Sequence, residues 1–231
     1  MNNLSDGNFD KKKIQMHRSY FENYYGSDFR LGQGLDEITD MISSYSMPGT
    51  WIDLGGGTST FIWLPAFREI TEVHSLDKDA ESAYVQELVR SMAPSGCYRH
   101  ILNRYGKSIE EMSRIHITYS QMDLFSDFTI NMKYDNVSQI GLLGLCRTKS
   151  EYLKQLVKLS GFMSRESVFI GANWVFSSTY AETRGFANSY LNTSLVKEYV
   201  LSNRRKLLYS ERIAITNDPC YDAIIVYAFM T

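Results

Sequence analysis

The sequence predicts an α/β fold in which a mostly parallel sheet of seven strands carries helices on both faces and ends in an antiparallel hairpin. Apolar runs of strand length alternate with segments whose apolar residues recur at helical spacing, a pattern typical of parallel sheets with right-handed crossovers. One run, residues 51–54, leads directly into three glycines, as a strand does before a nucleotide-binding turn. The last two runs, residues 206–213 and 223–229, flank the turn-forming residues 216–219 and predict the hairpin.

Length and composition limit the classes of protein to which this chain can belong. Its 231 residues suit one domain, residues 1–231, and contents of 44% hydrophobic and 22% charged residues are ordinary for a globular protein. A net charge of −2 argues against nucleic acid as a partner. The polar N-terminus does not look like a signal peptide, and the longest apolar run is too short to span a membrane, so we expect no membrane partner.

The cysteines predict the compartment. Cys97, Cys146 and Cys220 are widely spaced, odd in number and not arranged in a CxxC pair, so they indicate neither a disulfide framework nor a zinc site. We therefore expect a cytoplasmic protein without a metal ion.

About fifty residues precede the first strand, and we expect them to form a helical lid. Residues 1–10 are predicted to be disordered. Phe21, Tyr24 and Tyr25 lie on a first helical pattern that begins near residue 11, and a second pattern ends near residue 48. The lid is therefore assigned to residues 1–48 and the core to residues 49–231.

The core is predicted to alternate helices and strands after the glycine turn. The first predicted elements are a helix at 60–67, a strand ending at Asp77, and a helix that has Tyr84, Leu88 and Met92 on one stripe and ends at Pro94 and Ser95. They are followed by strands at 115–119 and 136–143, a helix at 150–159, a strand at 167–172, and a helix capped by Asn192 or Thr193. Residues 97–114 form an insertion in which Ser108 and Glu111 have the spacing of a capping box. Residues 173–190 are predicted to be a long polar and aromatic loop that holds the substrate.

The glycine turn and three acids predict a nucleoside site. Glycines allow the backbone to turn sharply and approach a ligand, and the amides of the helix that follows favour a polar or anionic group. Asp53, Asp77 and Asp123 each stand at the end of a predicted strand, and Asp77 follows the turn by about the spacing at which an acid accepts the hydroxyls of a ribose. The alternative is a glycine-rich βα turn without a ligand, beside acids that are solvated strand ends.

The lid, the turn, the acids and the hairpin together resemble class I S-adenosylmethionine-dependent methyltransferases over nearly the whole chain. This resemblance implies a Rossmann-like sheet and S-adenosylmethionine as the cofactor, with S-adenosylhomocysteine as the product. Residues 18–25, with the sequence RSYFENYY, look like the lid motif of the nicotinamide, phenylethanolamine and indolethylamine N-methyltransferase family, in which an ArgxTyrLeuxxTyrTyr helix closes over the cofactor. The insertion and the SerSerxTyr sequence of residues 177–180 also match that branch.

The resemblance implies roles for individual residues. The cofactor contacts that it implies are Tyr20, Tyr25, Asp53, Gly55, Gly56, Gly57, Thr58, Asp77, Lys78, Met122, Asp123, Leu124 and Ile140. Tyr20 also receives the catalytic role, because an electron-rich ring attracts a sulfonium as it attracts other cations. Tyr24 is expected to pack on the core.

For the substrate, the resemblance implies contacts from Asn173, Ser177 and Tyr180. Nicotinamide-specific members carry an aspartate where this chain offers Asn173, so the sequence does not favour nicotinamide itself. An asparagine orients an amide or a heteroaromatic ring but gives a cationic amine no charge partner, a role for which Glu182 is the nearby candidate.

Three functional hypotheses follow from the sequence. The first is transfer of a methyl group to a nitrogen of a small amine or azaheterocycle, by an in-line displacement that needs positioning more than a base. The second is a methyltransferase of the same fold that acts on oxygen or carbon in a biosynthetic pathway. The third is a non-catalytic binding protein that has kept the cofactor fold. In each of the first two, the partner is a small-molecule methyl acceptor.

Overall fold

Seven strands form one sheet in the computed structural model of the chain, which describes residues 9–26, 31–93, 96–216 and 218–231. The strands are β1 (Gly49–Leu54), β2 (Ile70–Asp77), β3 (Ile117–Gln121), β4 (Tyr134–Ile140), β5 (Met163–Phe176), β6 (Lys206–Ala214) and β7 (Tyr221–Met230). Their order in the sheet is β3-β2-β1-β4-β5-β7-β6. Strands β1 to β5 pair in parallel, whereas β7 pairs antiparallel with both β5 and β6. The predicted sheet and its terminal hairpin are confirmed.

Helices cover both faces of this sheet. The α-helices of the described residues are α1 (Lys11–Phe21), α2 (Leu35–Tyr45), α3 (Thr60–Trp63), α4 (Ala80–Arg90), α5 (Gly96–Arg104), α6 (Ile109–Arg114), α7 (Lys149–Leu159), α8 (Ser178–Arg184) and α9 (Thr193–Ser202). Successive side chains of a strand point to opposite faces. Trp51 accordingly packs into a core that contains residues of α2, α3 and α5, while Ile52 packs into a second core with residues of α7 and α9.

The segment before β1 is helical, as its spacing predicts. Asp10 caps α1 by accepting a hydrogen bond from the amide of Lys12 at 2.8 Å, and a π-helical turn, Glu22–Gly26, continues α1. Phe21 and Tyr25 are buried in the core beneath this turn. Tyr24, expected in the core, is instead 36% exposed.

The insertion consists of two helices, α5 and α6, of which α5 packs against the π-helical turn of the lid. The predicted capping box is confirmed at the start of α6, where Ser108 Oγ accepts from the amide of Glu111 at 3.1 Å and a Glu111 carboxylate oxygen accepts from the amide of Ser108 at 2.8 Å.

Of the stripe predicted for this segment, Tyr84 and Leu88 lie on α4, where both are half-buried. Val85 and Gln86 are buried, whereas Met92, past the end of the helix, is 58% exposed.

The prediction of a continuous loop at residues 173–190 was wrong. Strand β5 does not end at Ala172 but continues to Phe176, and it pairs with β7 along this extension as far as Tyr221. Ser177 then caps a short helix, α8, by accepting a hydrogen bond from the amide of Tyr180 at 3.2 Å. The aromatic side chains of this segment are therefore fixed on a strand and a helix.

Some predictions concern residues outside the described ranges. They are the disorder of residues 1–8, the helix break at Pro94 and Ser95, and the conformation of Asn217 in the hairpin turn. Among the described residues, no helix has both the length and the apolar character that crossing a bilayer requires.

Candidate functional site

The glycine turn between β1 and α3 is held against β2. The amides of Gly55 and Gly56 both donate to the carbonyl oxygen of Leu76, at 2.8 and 3.1 Å. Gly55 has φ +74° and Gly57 has φ +52°, backbone conformations that residues with a side chain rarely adopt. Gly56 is required for a different reason, because a Cβ atom there would lie within 3.0 Å of the side chains of Thr60, Ser75 and Asp53.

A buried polar network supports the turn from below. Asp53 is 1% exposed and accepts hydrogen bonds from the hydroxyls of Thr60, at 2.8 Å, and Ser138, at 2.7 Å. The indole of Trp51 donates to Ser138, and the hydroxyl of Thr60 also bonds that of Ser75. Burial raises the pKa of Asp53 to about 6, against the lowering effect of these two hydroxyl donors. Asp53 does not line the cavity described below. It was predicted to contact the cofactor, but in the structure it supports the turn from the buried side.

Asp77 stands at the carboxyl end of β2, beside the turn. Its two carboxylate oxygens accept hydrogen bonds from the amides of Gly57 and Asp79, both at 3.0 Å. Its backbone carbonyl accepts from the amide of Met122 at 2.7 Å, which brings the segment after β3 alongside. In that segment Asp123 accepts from the hydroxyl of Ser126 and the amide of Phe125, and these bonds lower the pKa of Asp123.

A cavity of about 410 Å³ runs along this edge of the sheet. The residues that were predicted as contacts and that line it are Tyr20, Tyr25, Gly55, Gly56, Gly57, Thr58, Asp77, Lys78, Met122, Asp123, Leu124, Ile140 and Tyr180. Thr58 is buried there, and its hydroxyl oxygen has no hydrogen-bond partner among the described residues. A buried hydroxyl without a partner is costly in a folded protein, so this oxygen is available to a ligand.

The lid covers one side of the cavity. Tyr25 is buried against Trp63, with ring centroids 5.9 Å apart, and burial raises the pKa of Tyr25 well above its usual value. Tyr20 lies over the cavity with 46% of its side chain exposed, although burial of its hydroxyl raises its pKa to about 12. Helix α1 is fastened to the start of α4 by Lys13, whose ammonium nitrogen lies 2.6 Å from a carboxylate oxygen of Asp79.

The other end of the cavity is largely aromatic. Its walls are Ile140 and the turn after β4, the end of β5, helix α8 and the start of β7. The side chains from β5, α8 and β7 that line it are Trp174, Phe176, Tyr180, Arg184 and Tyr221. Arg184 is the charged side chain at this end of the cavity in the part of the chain that the structure describes.

Two of the predicted substrate residues do not line the cavity. Because side chains alternate along β5, Trp174 faces the cavity, while Asn173 is fully buried on the opposite face, where its amide donates to the hydroxyl of Tyr152 at 3.3 Å. Ser177 caps α8 and donates to the carbonyl of Pro219 at 2.7 Å. Glu182 is exposed on α8, outside the cavity.

The cavity also has lining residues that the sequence did not assign to the site, among them His17, Trp174, Phe176, Arg184 and Tyr221. A signal for Tyr221 was present in the hairpin. In an antiparallel pairing the start of β7 lies beside the end of β5, so Tyr221 is brought to the carboxyl edge of the parallel strands.

Comparison with solved structures shows which fold this is. The N-methyltransferase NodS of Bradyrhizobium japonicum, in complex with S-adenosylhomocysteine, matches with a TM-score of 0.59 and 9% identity over 94% of this chain and 97% of that one. Magnesium protoporphyrin IX methyltransferase from Synechocystis with bound SAM matches with a TM-score of 0.57 and 13% identity over 98% and 99%. The chain has the fold of class I S-adenosylmethionine-dependent methyltransferases.

A third solved structure, also a methyltransferase, matches the chain to a similar degree. An S-adenosylmethionine-dependent methyltransferase from Clostridium acetobutylicum has a TM-score of 0.56 and 11% identity, over 94% of this chain and 98% of that chain. No protein-family model and no curated protein sequence matches the chain. At these identities the likeness establishes the methyltransferase fold, and the narrower resemblance of residues 18–25 to the nicotinamide and phenylethanolamine branch stays a prediction.

Proposed function

We propose that the protein is a methyltransferase that uses S-adenosylmethionine and transfers the methyl group to a nitrogen of a small amine or azaheterocycle. The methyltransferase fold supports the use of S-adenosylmethionine as the methyl donor. The residues of the cavity support the cofactor, and the aromatic end of the cavity supports nitrogen as the methyl acceptor.

The cofactor end of the cavity fits the proposed ligand chemically. Asp77 lies where a carboxylate accepts the two hydroxyls of a ribose, and each of its oxygens keeps a free lone pair after the bonds from Gly57 and Asp79. The unpartnered hydroxyl of Thr58 is available to the polar amino-acid portion of the ligand. A volume of about 410 Å³ lies in the range of small-molecule sites.

When bound, the cofactor would supply a methyl group that its sulfonium has already activated. The chain then has to place the acceptor atom in line, hold the sulfonium and exclude water. Tyr20 and Tyr25, on the lid, line the cavity beside the glycine turn, which is where the resemblance puts the sulfonium. Trp174 and Tyr221 supply flat apolar walls for an acceptor ring on the far side.

The single observation that favours nitrogen is the set of groups at this aromatic end. The side chains that β5, α8 and β7 contribute to this end include no carboxylate and no imidazole; the imidazole of His17, on α1, lines the cavity from the lid, and the carboxylate of Asp218 lies in a smaller adjoining chamber. The hydroxyls of Tyr20 and Tyr221 keep their protons at neutral pH because burial raises both pKa values. A neutral nitrogen has a lone pair ready to react, whereas an alcohol oxygen must lose a proton to a base. A nitrogen acceptor can therefore react at this end of the cavity without a general base.

The test is a titration of the purified protein with S-adenosylmethionine and, separately, with NAD. We expect micromolar binding of S-adenosylmethionine and at least a hundredfold weaker binding in Asp77→Ala, since two hydrogen bonds to a charged group contribute about 3 kcal/mol together. Glu110→Ala, which removes an exposed carboxylate of α6, is the matched control. Preference for NAD, or equal binding by the Asp77 variant, would overturn the cofactor assignment.

Turnover is the second part of the test. Radiolabelled S-adenosylmethionine is incubated with panels of amines, azaheterocycles, phenols and carboxylic acids, and the labelled product is identified. We expect label on nitrogen. Label on oxygen or carbon would establish the second hypothesis from the sequence. Tight cofactor binding without transfer to any acceptor would establish a non-catalytic binding protein.

A further inference from the structure

A small side chamber adjoins the aromatic end of the main cavity. Its volume is about 50 Å³, and it shares Tyr20, Tyr25, Trp174 and Tyr221 with the main cavity as common walls. The rest of its lining is Tyr24 from the π-helical turn, Gln33 and Leu35 at the start of α2, and Ile215 and Asp218 from the β6–β7 connection. We refer to it as the Asp218 chamber.

The walls of the Asp218 chamber are mostly aromatic rings held against one another. The ring centroids of Tyr20 and Tyr24 lie 4.8 Å apart, and those of Trp174 and Tyr221 lie 6.1 Å apart. Burial raises the pKa of the Tyr24 hydroxyl and the pKa of the Tyr221 hydroxyl, so both rings keep their protons at neutral pH. The faces of such rings carry partial negative charge and attract cations.

Asp218 adds a full negative charge to these walls. One of its carboxylate oxygens accepts hydrogen bonds from the amides of Cys220, at 2.7 Å, and Tyr221, at 3.1 Å, so the side chain is held in place by its own turn. Among the described residues, no lysine or arginine lines the chamber or forms a salt bridge with Asp218. The carboxylate therefore keeps an unneutralised charge beside the aromatic walls.

We propose that the Asp218 chamber binds a small ammonium group of the methyl acceptor, distinct from the nitrogen that is methylated. The proposal rests on the proposed function, which places a neutral nitrogen in the main cavity. A protonated amine has no lone pair and cannot be the nucleophile, so a site that selects a cation selects a second group of the acceptor. The acceptor class is accordingly a compound with one neutral nitrogen and one protonated amine.

The size of the chamber limits this second group. A buried water needs about 10–15 Å³ of such volume, so about 50 Å³ holds three or four waters or one small head group. A primary ammonium on a single methylene fits this space. The Asp218 chamber is thus a specificity site for a short aminoalkyl substituent.

The experiment compares two probes that have the same shape and different charge. The meta isomer of aminomethylpyridine carries a neutral ring nitrogen and an ammonium at neutral pH, and the meta isomer of ethylpyridine replaces that ammonium by a methyl group. Binding of each is measured by calorimetry, with and without saturating S-adenosylhomocysteine. We expect the ammonium probe to bind at least about tenfold more tightly than its neutral counterpart.

The variants assign this preference to the chamber. Asp218→Asn removes the charge and keeps an oxygen for the amides of Cys220 and Tyr221, and we expect it to abolish the tenfold preference. Asp222→Asn, on an exposed carboxylate of the same hairpin that lines neither cavity, is the matched control and keeps the preference. Tyr24→Phe keeps the ring and the preference, whereas Tyr24→Leu weakens the preference.

The outcomes separate this proposal from the proposed function. Equal binding of the two probes, failure of the ammonium probe to bind, or an unchanged preference in Asp218→Asn would overturn the ammonium site, whatever the cofactor result. Failure to bind S-adenosylmethionine would overturn the methyltransferase, and the probe comparison does not depend on that measurement.

Discussion

Alanine substitutions at two adjacent glycines of the turn are expected to act on different properties, Gly56→Ala mainly on the stability of the fold and Gly57→Ala mainly on the binding of the cofactor. In Gly56→Ala, the new Cβ would lie no farther than 3.0 Å from side-chain oxygens of Thr60, Ser75 and Asp53. The hydroxyl of Thr60 would have to move, which breaks its bonds to Asp53 and Ser75. Each buried hydrogen bond lost in this way costs about 1–3 kcal/mol, so we expect Gly56→Ala to lower the free energy of unfolding by about 2–6 kcal/mol.

Gly57→Ala tests the other side of the turn. No atom lies closer than 3.9 Å to the position of its Cβ, so the cost to the fold is the left-handed backbone conformation alone, about 1–2 kcal/mol. The new methyl group would stand on the cavity side, 4.0 Å from a carboxylate oxygen of Asp77. Displacing a ligand from one hydrogen bond with Asp77 weakens binding by about tenfold or more.

Urea unfolding followed by tryptophan fluorescence measures the first effect, and calorimetric titration with S-adenosylmethionine measures the second. With an unfolding slope of about 2 kcal/mol per molar urea, Gly56→Ala shifts the midpoint by about 1–3 M and Gly57→Ala by less than about 1 M. Folded Gly57→Ala shows the loss of affinity. Equal midpoints for the two variants, or full cofactor affinity in Gly57→Ala, would refute the division of the turn into a packed side and a ligand side.

Three further predictions concern single residues. Tyr20→Phe is expected to lower the rate of methyl transfer while the free energy of unfolding stays within about 0.5 kcal/mol, since the side chain is 46% exposed; unchanged kinetics would remove Tyr20 from catalysis. The pKa of Asp53 is raised from 3.8 to about 6 on folding, so the contribution of this one group to stability falls by about 3 kcal/mol as pH rises from 4 to 6, at 1.36 kcal/mol per pKa unit; urea midpoints across this range should therefore fall more steeply with pH in the wild type than in Asp53→Asn, and equal slopes would contradict the raised pKa. Ser108→Ala removes the cap of α6 and is expected to cost about 1 kcal/mol in urea unfolding, most of which Ser108→Thr should retain.

The part of the site that could be predicted from the sequence consists of features that are set by residues close together in the chain. The glycine turn, Asp77 and Asp123 are each recognised within a few residues, because a strand end, a turn and the start of a helix are set by neighbouring residues. Parallel strands then bring these segments to one edge of the sheet, since all their carboxyl ends meet there. The cavity lined by Gly57, Asp77 and Asp123 is the result of that geometry.

The aromatic end could not be predicted in the same way because it depends on pairing between distant segments. Residues 174–176 are aromatic or β-branched and suit a strand, yet only the pairing of β5 with β7 extends that strand to Phe176. The extension fixes the alternation, which turns Trp174 toward the cavity and Asn173 toward the buried Tyr152. The same pairing brings Tyr221 and Asp218 to the site from about fifty residues away.

The two ends of the first lid helix are held by forces of different strength. At its carboxyl end, Phe21 and Tyr25 are buried, and such a side chain contributes about 1.5–3 kcal/mol by burial. At its amino end, the Lys13 side chain of the ion pair with Asp79 is 44% exposed to water, which screens the attraction between the charges. Other contacts with α4 at this end are a hydrogen bond from the amide of Asp10 to Glu81, at 3.1 Å, and the ring of Phe9 against that of Tyr84.

This difference predicts how the lid opens. Residues 11–16 separate from α4 while the turn that carries Tyr25 stays packed, so the lid pivots about Glu22–Gly26. Opening then breaks the ion pair between Lys13 and Asp79. Because the amide of Asp79 donates a hydrogen bond to the carboxylate of Asp77, a shift of Asp79 also changes the position of the carboxylate at the proposed ribose site. Hydrogen exchange is the measurement. Amides of residues 14–16 should exchange faster than those of Phe21 and Tyr25 and become protected when S-adenosylhomocysteine is added; uniform exchange along the helix would contradict a pivot at its carboxyl end.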